Sequence, residues 1–556
     1  MGPSARPFIR LLDVHAPLVL ALLLVPLALS SQESPQTPQI HVSTQLVQIG
    51  IIVRGKNGPV AGLTKDDFSV FDRGKAQKIS VFSLESGASA PPLAPPAQPL
   101  PPNTFSDLPQ HGSNKPRSVT IVLLDNLNTL SGSTPQPYET TPYWLEDHAL
   151  ANAKQHLMDF LKQLDPGDRI AIYGLTDSLH VLCDFACDRD QLMAVVSKYD
   201  ATSKTQREEA EPGSVHTPQG RDFNEHIDAD MQTLAALNNV ARAQATMAAL
   251  SAIANHVADI AGRKNLLWLT ANLPFSGEAI ARVLGRANIS AYPVDARGLL
   301  PRSPTVSPEA GSNVGDAYVR GALGMNATPA ETDDPIGVDA MQKMAEETGG
   351  RAFVNTNDLT GAIRDAVEDS AVTYTLGFYI DSDSLDGKFH ELKVKVKRPG
   401  LDVRYPKGYF ALKDAPATKD ELHNSLVAAI RSPLDASAIP LQIKVDRVNQ
   451  PAPNSLLLLG SINIHDLQLA KQGETRTGVL DITVLEQDQT GKVVRESANR
   501  IALRFTEKQY AAVLQSGINF RKSLQTQAGV TTLRILVQDP GSAAIGSLII
   551  PLSDVN

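Results

Sequence analysis

Two aspartates stand where a carboxylate could do chemistry. Asp125 closes the apolar, β-branched run 119–124, and the turn-prone residues Asn126, Asn128, Thr129, Ser131, Gly132 and Ser133 follow it. Asp295 closes a second such run, 289–294. Each run is too short for an ordinary helix and has the length of a buried strand. A carboxylate at the carboxyl end of a parallel strand sits where open α/β sheets keep their sites. The pair could serve a hydrolase. The plainer role for Asp295 is to fix the Arg297-Gly298 turn behind it.

Other chemistry is sparse. There is no Gly-x-Ser-x-Gly, no His-Glu-x-x-His, no Walker loop and no Gly-x-Gly-x-x-Gly after a strand, so the chain does not read as an enzyme. His180 and His256 read as a strand-surface residue and a helix residue. Asp381, Asp383, Asp386 and Gly387 miss the EF-hand spacing by one and lack flanking helices, which makes a hairpin turn the better reading. Cys183 and Cys187 are the only cysteines. On one straight strand their Cα atoms would lie roughly 13 Å apart, too far for a bridge. A turn at 184–186 would permit one, and the sequence leaves both open. A two-cysteine metal site lacks further ligands nearby.

Elements that could position these residues follow from periodicity. Residues 38–86 alternate apolar and polar, with turn signals at 55–59 and 72–74, and predict a small β module. The stretch 87–117, with its PPLAPPAQPLPP, predicts a semi-rigid spacer. Over 118–370 strands alternate with helices: strands near 119–124, 169–175, 266–270, 289–294 and 351–354, and helices carrying Leu150 to Leu164, Ile227 to Ile260, 277–287, 337–348 and 358–369. Residues 179–183 add the return strand of a hairpin, and Asp188 caps a short helix. This order predicts an α/β fold with a doubly wound, mainly parallel sheet covered on both faces. Residues 371–413 predict a β-hairpin extension whose alternating Lys393, Lys395 and Lys397 form a solvated face. Residues 418–556 predict a β-sandwich. Thr246 falls inside the long helix, where its hydroxyl can bond a backbone carbonyl.

The 556 residues allow about three domains, and a net charge of −9 offers neither a nucleic-acid footprint nor a polybasic membrane patch. Arg6 and Arg10 precede an apolar stretch, 16–29, with small residues near Ser30, which predicts a signal peptide over 1–30; an uncleaved anchor is the alternative. No later stretch is apolar enough to span a bilayer. The expected location is periplasmic, cell-envelope or secreted.

The strand, the aspartate and the polar residues behind it resemble the first metal loop of von Willebrand factor type A domains, Asp-x-Ser-x-Ser. Further stretches, GLTKDDFSVFDRGKAQKISVFS, GRKNLLWLT, YPVDARGL, DGKFHELKVKVKRPGLDVRYPKGYF and LRILVQDPGSAAIGSLIIPL, resemble the bacterial VWFA-related domain proteins found widely in acidobacteria. The resemblance implies a type A fold and a metal site of three loops, with hard oxygen ligands suited to Mg²⁺ or Mn²⁺. Asp125 and Thr129 match the outer positions of the first loop, with Leu127 in place of the first serine, and Thr246 resembles the second loop. The third departs, reading Thr270-Ala271-Asn272, and Asp295 is then a candidate displaced carboxylate. In the family topology the insertions 201–245 and 297–334 flank this rim, either as a lid or partner surface or as decoration. The expected function is binding of a protein or surface polymer by an exported adhesion or scaffolding protein; the alternative is a metal-independent structural module of the envelope.

Overall fold

The computed structural model describes residues 9–10, 44–56, 58–86, 100–107, 119–129, 143–164, 169–199, 221–260, 263–273, 277–298, 337–369, 371–381, 384–411, 418–448, 455–465 and 467–555. The expected signal peptide lies outside them except for Ile9–Arg10, a two-residue strand beside Phe520 and Arg521. Most of the spacer, Asp383, and residues 201–220 and 299–334 of the insertions also lie outside. No helix among the described residues is long and apolar enough to cross a membrane.

The protein is mixed α/β. Its central sheet runs in the order Leu179–Cys183, Ile170–Leu175, Val119–Asp125, Lys264–Thr270, Ile289–Asp295. The last four strands are mutually parallel and the first is antiparallel. Strand runs without alternation fit a sheet buried on both sides, and every residue of Val119–Asp125, Lys264–Thr270 and Ile289–Asp295 is buried. Odd positions of Val119–Asp125 (Val119, Ile121, Leu123) pack with helices Arg221–His256, Gly277–Arg286 and Val338–Thr348. Even positions (Val122, Leu124) pack with Tyr143–Leu161, Arg189–Lys198 and Leu359–Glu368. The strand expected at 351–354 is only a single bridge, Val294 to Phe353.

The hairpin expected over 371–413 does not pair with itself. Val372–Asp381 lies between Thr44–Gly55 and Val81–Ser86, whereas Phe389–Val396 lies between Phe68–Asp72 and Gly408–Phe410 in a second sheet. The two sheets enclose one core of Ile49, Ile51, Val53, Phe68, Val70, Tyr374, Leu376, Phe378, Leu392 and Val394. Both returning strands carry an apolar face that is covered largely by the N-terminal strands, so segments more than 300 residues apart join in one β unit.

This β unit sits at the amino-terminal edge of the central sheet. Asp369, the C-cap of Leu359–Glu368, has a fully buried carboxylate. It accepts from Arg54 Nη1 (2.6 Å), Arg404 Nη1 (2.8 Å) and Tyr292 Oη (3.0 Å). Arg263, equally buried, donates to Tyr292 Oη and the Gly349 carbonyl.

The C-terminal region packs two sheets around one core that includes Ile443, Leu458, Phe520, Ile482, Ile535 and Leu548. Inside the expected spacer, Thr104–Ser106 pairs with Gln442–Lys444 at the edge of one of these sheets, and Phe105 packs on the core. Proline on both sides masks that strand in the sequence while leaving its own N–H groups free to pair.

Candidate functional site

Asp125 lies at the carboxyl end of its strand beside the crevice where strand order reverses, the usual place for a ligand in such sheets. Its side chain points to the same face as Leu123, and the register sets Trp268 opposite Leu123 on the next strand. Backbone N–H groups of Asn126 and Leu127 donate to the Leu175 carbonyl and tie the following turn to the other neighbour. Leu127 is buried in the apolar cluster with Leu175 and Leu179. The position that carries a ligand hydroxyl in the type A pattern is therefore taken by packing.

Both carboxylate oxygens of Asp125 are filled by N–H donors. Oδ1 accepts from the Asn128 backbone at 3.0 Å. Oδ2 accepts from Asn128 Nδ2 and from the Trp268 indole, each at 2.8 Å. Asn128 Nδ2 donates a second bond, to Thr246 Oγ1 at 2.9 Å. The Thr246 hydroxyl has already given its proton to the Arg242 carbonyl four residues back, at 2.8 Å. Its oxygen can then only accept here, so the amide N–H₂ must face both partners. The Thr129 hydroxyl donates to the Asp125 carbonyl and accepts from Ala271 N–H, binding the first turn to the third.

All these groups are buried. Burial pushes the Asp125 carboxyl up to about 6, against the lowering pull of Asn128, Trp268 and Thr270. No arginine or lysine touches it in these bonds.

Mg²⁺ or Mn²⁺ would need converging oxygen lone pairs with open positions around them. Here three N–H groups aim at the carboxylate, and the Asn128 amide stands between Asp125 and Thr246, the two oxygens a cation would bridge. Ala271 brings no side-chain oxygen. These residues do not fit a divalent ion as arranged, and the described residues hold no cluster of three or more acidic, histidine or cysteine side chains able to bind one.

Of the residues singled out in the sequence, Asp125, Thr129 and Thr246 come together. Thr246 does so from within the helix Arg221–His256 rather than from a loop. Asp295 reaches the same rim, two strands away, roughly 10 Å by strand spacing. It stays outside the network: Arg297 Nε and Nη2 hold its carboxylate at 2.8 and 2.9 Å, and Arg297 N–H adds a bond at 3.0 Å. That ion pair fixes the turn to Gly298, whose φ is 76°. Asn128 and Trp268 were missed. Asn128 falls at a variable position of the Asp-x-Ser-x-Ser pattern, and Trp268 can be found only by knowing the strand register.

Cys183 and Cys187 form a disulfide with Cα atoms 6.2 Å apart. The turn that allows it is closed by Cys187 N–H on the Asp184 carbonyl.

No protein-family model and no curated protein matches the chain. Among solved structures, it is similar to an aerotolerance-related membrane protein of Bacteroides fragilis, at 14% identity over 45% of this chain and 98% of that one, with a TM-score of 0.23. It is also similar to the conserved hypothetical protein BatB of Bacteroides thetaiotaomicron, at 13% identity over 46% and 98%, TM-score 0.24. A third is proximal thread matrix protein 1 of the mussel byssus, at 9% identity over 46% of this chain and 46% of that one, TM-score 0.22. Overlap this low carries no argument about what the chain does.

Proposed function

We propose that the chain is an exported adhesion or scaffolding protein whose doubly wound, von Willebrand type A-like domain works without a resident metal. Its partner would be a protein or a surface polymer, met at the carboxyl-end rim and the two insertions beside it. The observation that carries the reading is the Asn128 amide. It donates to Asp125 and Thr246 together, so an internal donor does the work that a cation does in a metal-dependent rim. A domain that keeps the strand-end aspartate yet spends it on internal bonds is suited to holding shape and presenting loops, not to turnover.

The test titrates Mg²⁺ and then Mn²⁺ into the chain from residue 31 by calorimetry, with Asp125→Ala alongside, and sediments the same protein with isolated envelopes of the source organism in EDTA or in Mg²⁺. The expected result is no saturable heat at millimolar metal and equal co-sedimentation in both buffers. Saturable heat that Asp125→Ala abolishes would overturn the metal-free reading. Absence from the envelope pellet in both buffers would overturn the scaffold reading.

A further inference from the structure

The α/β domain meets the C-terminal domain at a junction the proposed function does not use. Residues 434–437 lie between the end of the helix Arg221–His256 and the strand Ile545–Pro551. On the helix side, Ser437 N–H donates to the Asn255 carbonyl at 2.9 Å, and its hydroxyl donates to the His256 carbonyl at 2.7 Å. On the strand side, Ala436 N–H donates to Ser547 Oγ, Ser547 N–H returns to the Ala436 carbonyl, and Ile549 N–H donates to Asp435 Oδ1, each at 2.8 Å. Leu434 is buried in the same apolar cluster as Phe185. The segment is thus hydrogen-bonded to both domains at once.

His256 is the hub of this junction. Its Nδ1 lies 2.7 Å from the Asp435 carbonyl and its Nε2 lies 3.1 Å from Asp184 Oδ2. A carbonyl and a carboxylate can only accept, so both ring nitrogens must carry protons and the ring is an imidazolium. The ring also stacks on Phe185, with planes 4° apart and centroids 6.4 Å apart. Asp184 and Phe185 are two of the three residues enclosed by the Cys183–Cys187 disulfide. The Tyr173 hydroxyl fixes the other Asp184 oxygen at 2.9 Å. A five-residue covalent ring therefore presents a carboxylate and an aromatic face to one histidine, and that histidine grips the segment leading into the next domain.

We propose that the Cys183–Cys187 ring and His256 form a clasp between the two domains, and that reducing the disulfide loosens the grip on residues 434–437. Opening takes two electrons and two protons from an external dithiol, which is itself oxidised to a disulfide, and leaves two thiols. The half-buried Cys187, next to exposed Ala186, is the accessible end. The free 183–187 turn then loses the constraint that keeps Asp184 and Phe185 on the ring.

The surrounding charges make the clasp sensitive to pH as well. Burial opposes the His256 charge, but the hydrogen bond and charge of Asp184, with the carbonyl and charge of Asp435, outweigh it and raise its pKa. Burial also opposes the Asp184 charge, and His256 with Tyr173 outweighs it and lowers that pKa. Asp435, pushed up to about 6 by burial, faces the buried Arg534, which donates to the Ile430 and Leu434 carbonyls. Asp107 is pushed up to about 9 by burial, with the charges of Asp435 and Asp259 raising it further. A raised histidine contributes its stability below its unfolded value and loses it as pH climbs through its folded value; a lowered aspartate loses its share as pH falls through its own. The clasp is firmest between those two limits.

The test follows amide hydrogen exchange of Ser437 and Ile549 in the chain from residue 31, oxidised and after treatment with dithiothreitol, with Tyr374 in the distant β unit as the internal control. His256→Gln, which keeps the disulfide, reads the clasp by itself. Reduction and His256→Gln should each speed exchange at Ser437 at least tenfold and leave Tyr374 within twofold. Unchanged Ser437 exchange after reduction would overturn the proposal. So would equal acceleration at Tyr374, because the disulfide would then hold the whole fold. A rise on reduction that His256→Gln fails to reproduce would remove the histidine from the clasp.

Discussion

Two aspartates buried at opposite ends of the central sheet, Asp369 and Asp125, are neutralised in opposite ways. At the amino-terminal edge, Asp369 is met by two guanidinium groups, Arg54 and Arg404, and by the Tyr292 hydroxyl. At the carboxyl-terminal rim, Asp125 is met by a backbone amide, a side-chain amide and an indole, all neutral. Full charges at the lower end join the β unit to the α/β domain, since both arginines come from that unit. Neutral dipoles around Asp125 join turns of a single domain. An ion pair taken out of water costs much when one partner is lost, whereas a dipole network costs by the bond. The lower end is therefore a structural lock, and the upper end is a site whose ligand-like residues have been turned inward.

The largest effect should come from breaking the lock. Asp369→Ala leaves Arg54 and Arg404 without their shared counter-charge and should cost about 3–5 kcal/mol. Urea unfolding monitored by tryptophan fluorescence measures it, and Asp369→Asn should fall between the variant and the wild type because one acceptor oxygen remains. A loss under about 1 kcal/mol would mean that solvent replaces the carboxylate, and the contrast between the two ends would fail.

The next effect is in pH. Burial pushes the Asp125 carboxyl up to about 6 in the fold, against about 3.9 for an unfolded aspartate. With the folded value raised, its contribution is complete below the unfolded value and is lost as pH rises through the folded one. Two units correspond to about 3 kcal/mol of stability lost between pH 4 and pH 7.5. Asp107 and Asp435, also raised by burial, slope the same way, so the measurement is the difference between wild type and Asp125→Asn at pH 4.5, 6 and 7.5. Wild type should lose stability relative to Asp125→Asn as pH rises. A gap that stays constant would place a compensating cation or ion pair on Asp125 itself.

What the sequence disclosed and what it hid divide along the same physical line. The strand ending at Asp125 was legible because a buried parallel strand must be apolar throughout. The Arg297 turn was legible because the residues that build it are adjacent in the chain. The partners of Val372–Asp381 and Phe389–Val396 were not, since a short connection suggests a hairpin while cover for two apolar faces is decided by strands some 300 residues away. Trp268 was hidden for a similar reason: its indole reaches Asp125 only through the register of two parallel strands, which no local pattern encodes. The disulfide turned on a single feature, whether residues 184–186 make a turn, and the Asp184 carbonyl bond settles it.

A pair of neutral deletions sharpens the comparison at its finest scale. Asn128→Ala removes two N–H donors at once and leaves Asp125 Oδ2 with the indole and Thr246 Oγ1 with no donor in that network. Unsatisfied buried groups cost about 1–3 kcal/mol. Tyr292→Phe at the other end deletes a neutral donor to a buried aspartate and an acceptor of the buried Arg263, but two guanidinium groups stay on Asp369 and Arg263 Nη2 keeps the Gly349 carbonyl, so the loss should be about 1 kcal/mol. Measured in the same urea series at pH 7.5, Asn128→Ala should therefore be the more damaging of the two. Equal losses would mean that Asp125 leans on a charge as Asp369 does, and a cation at the upper rim would then be the first thing to look for.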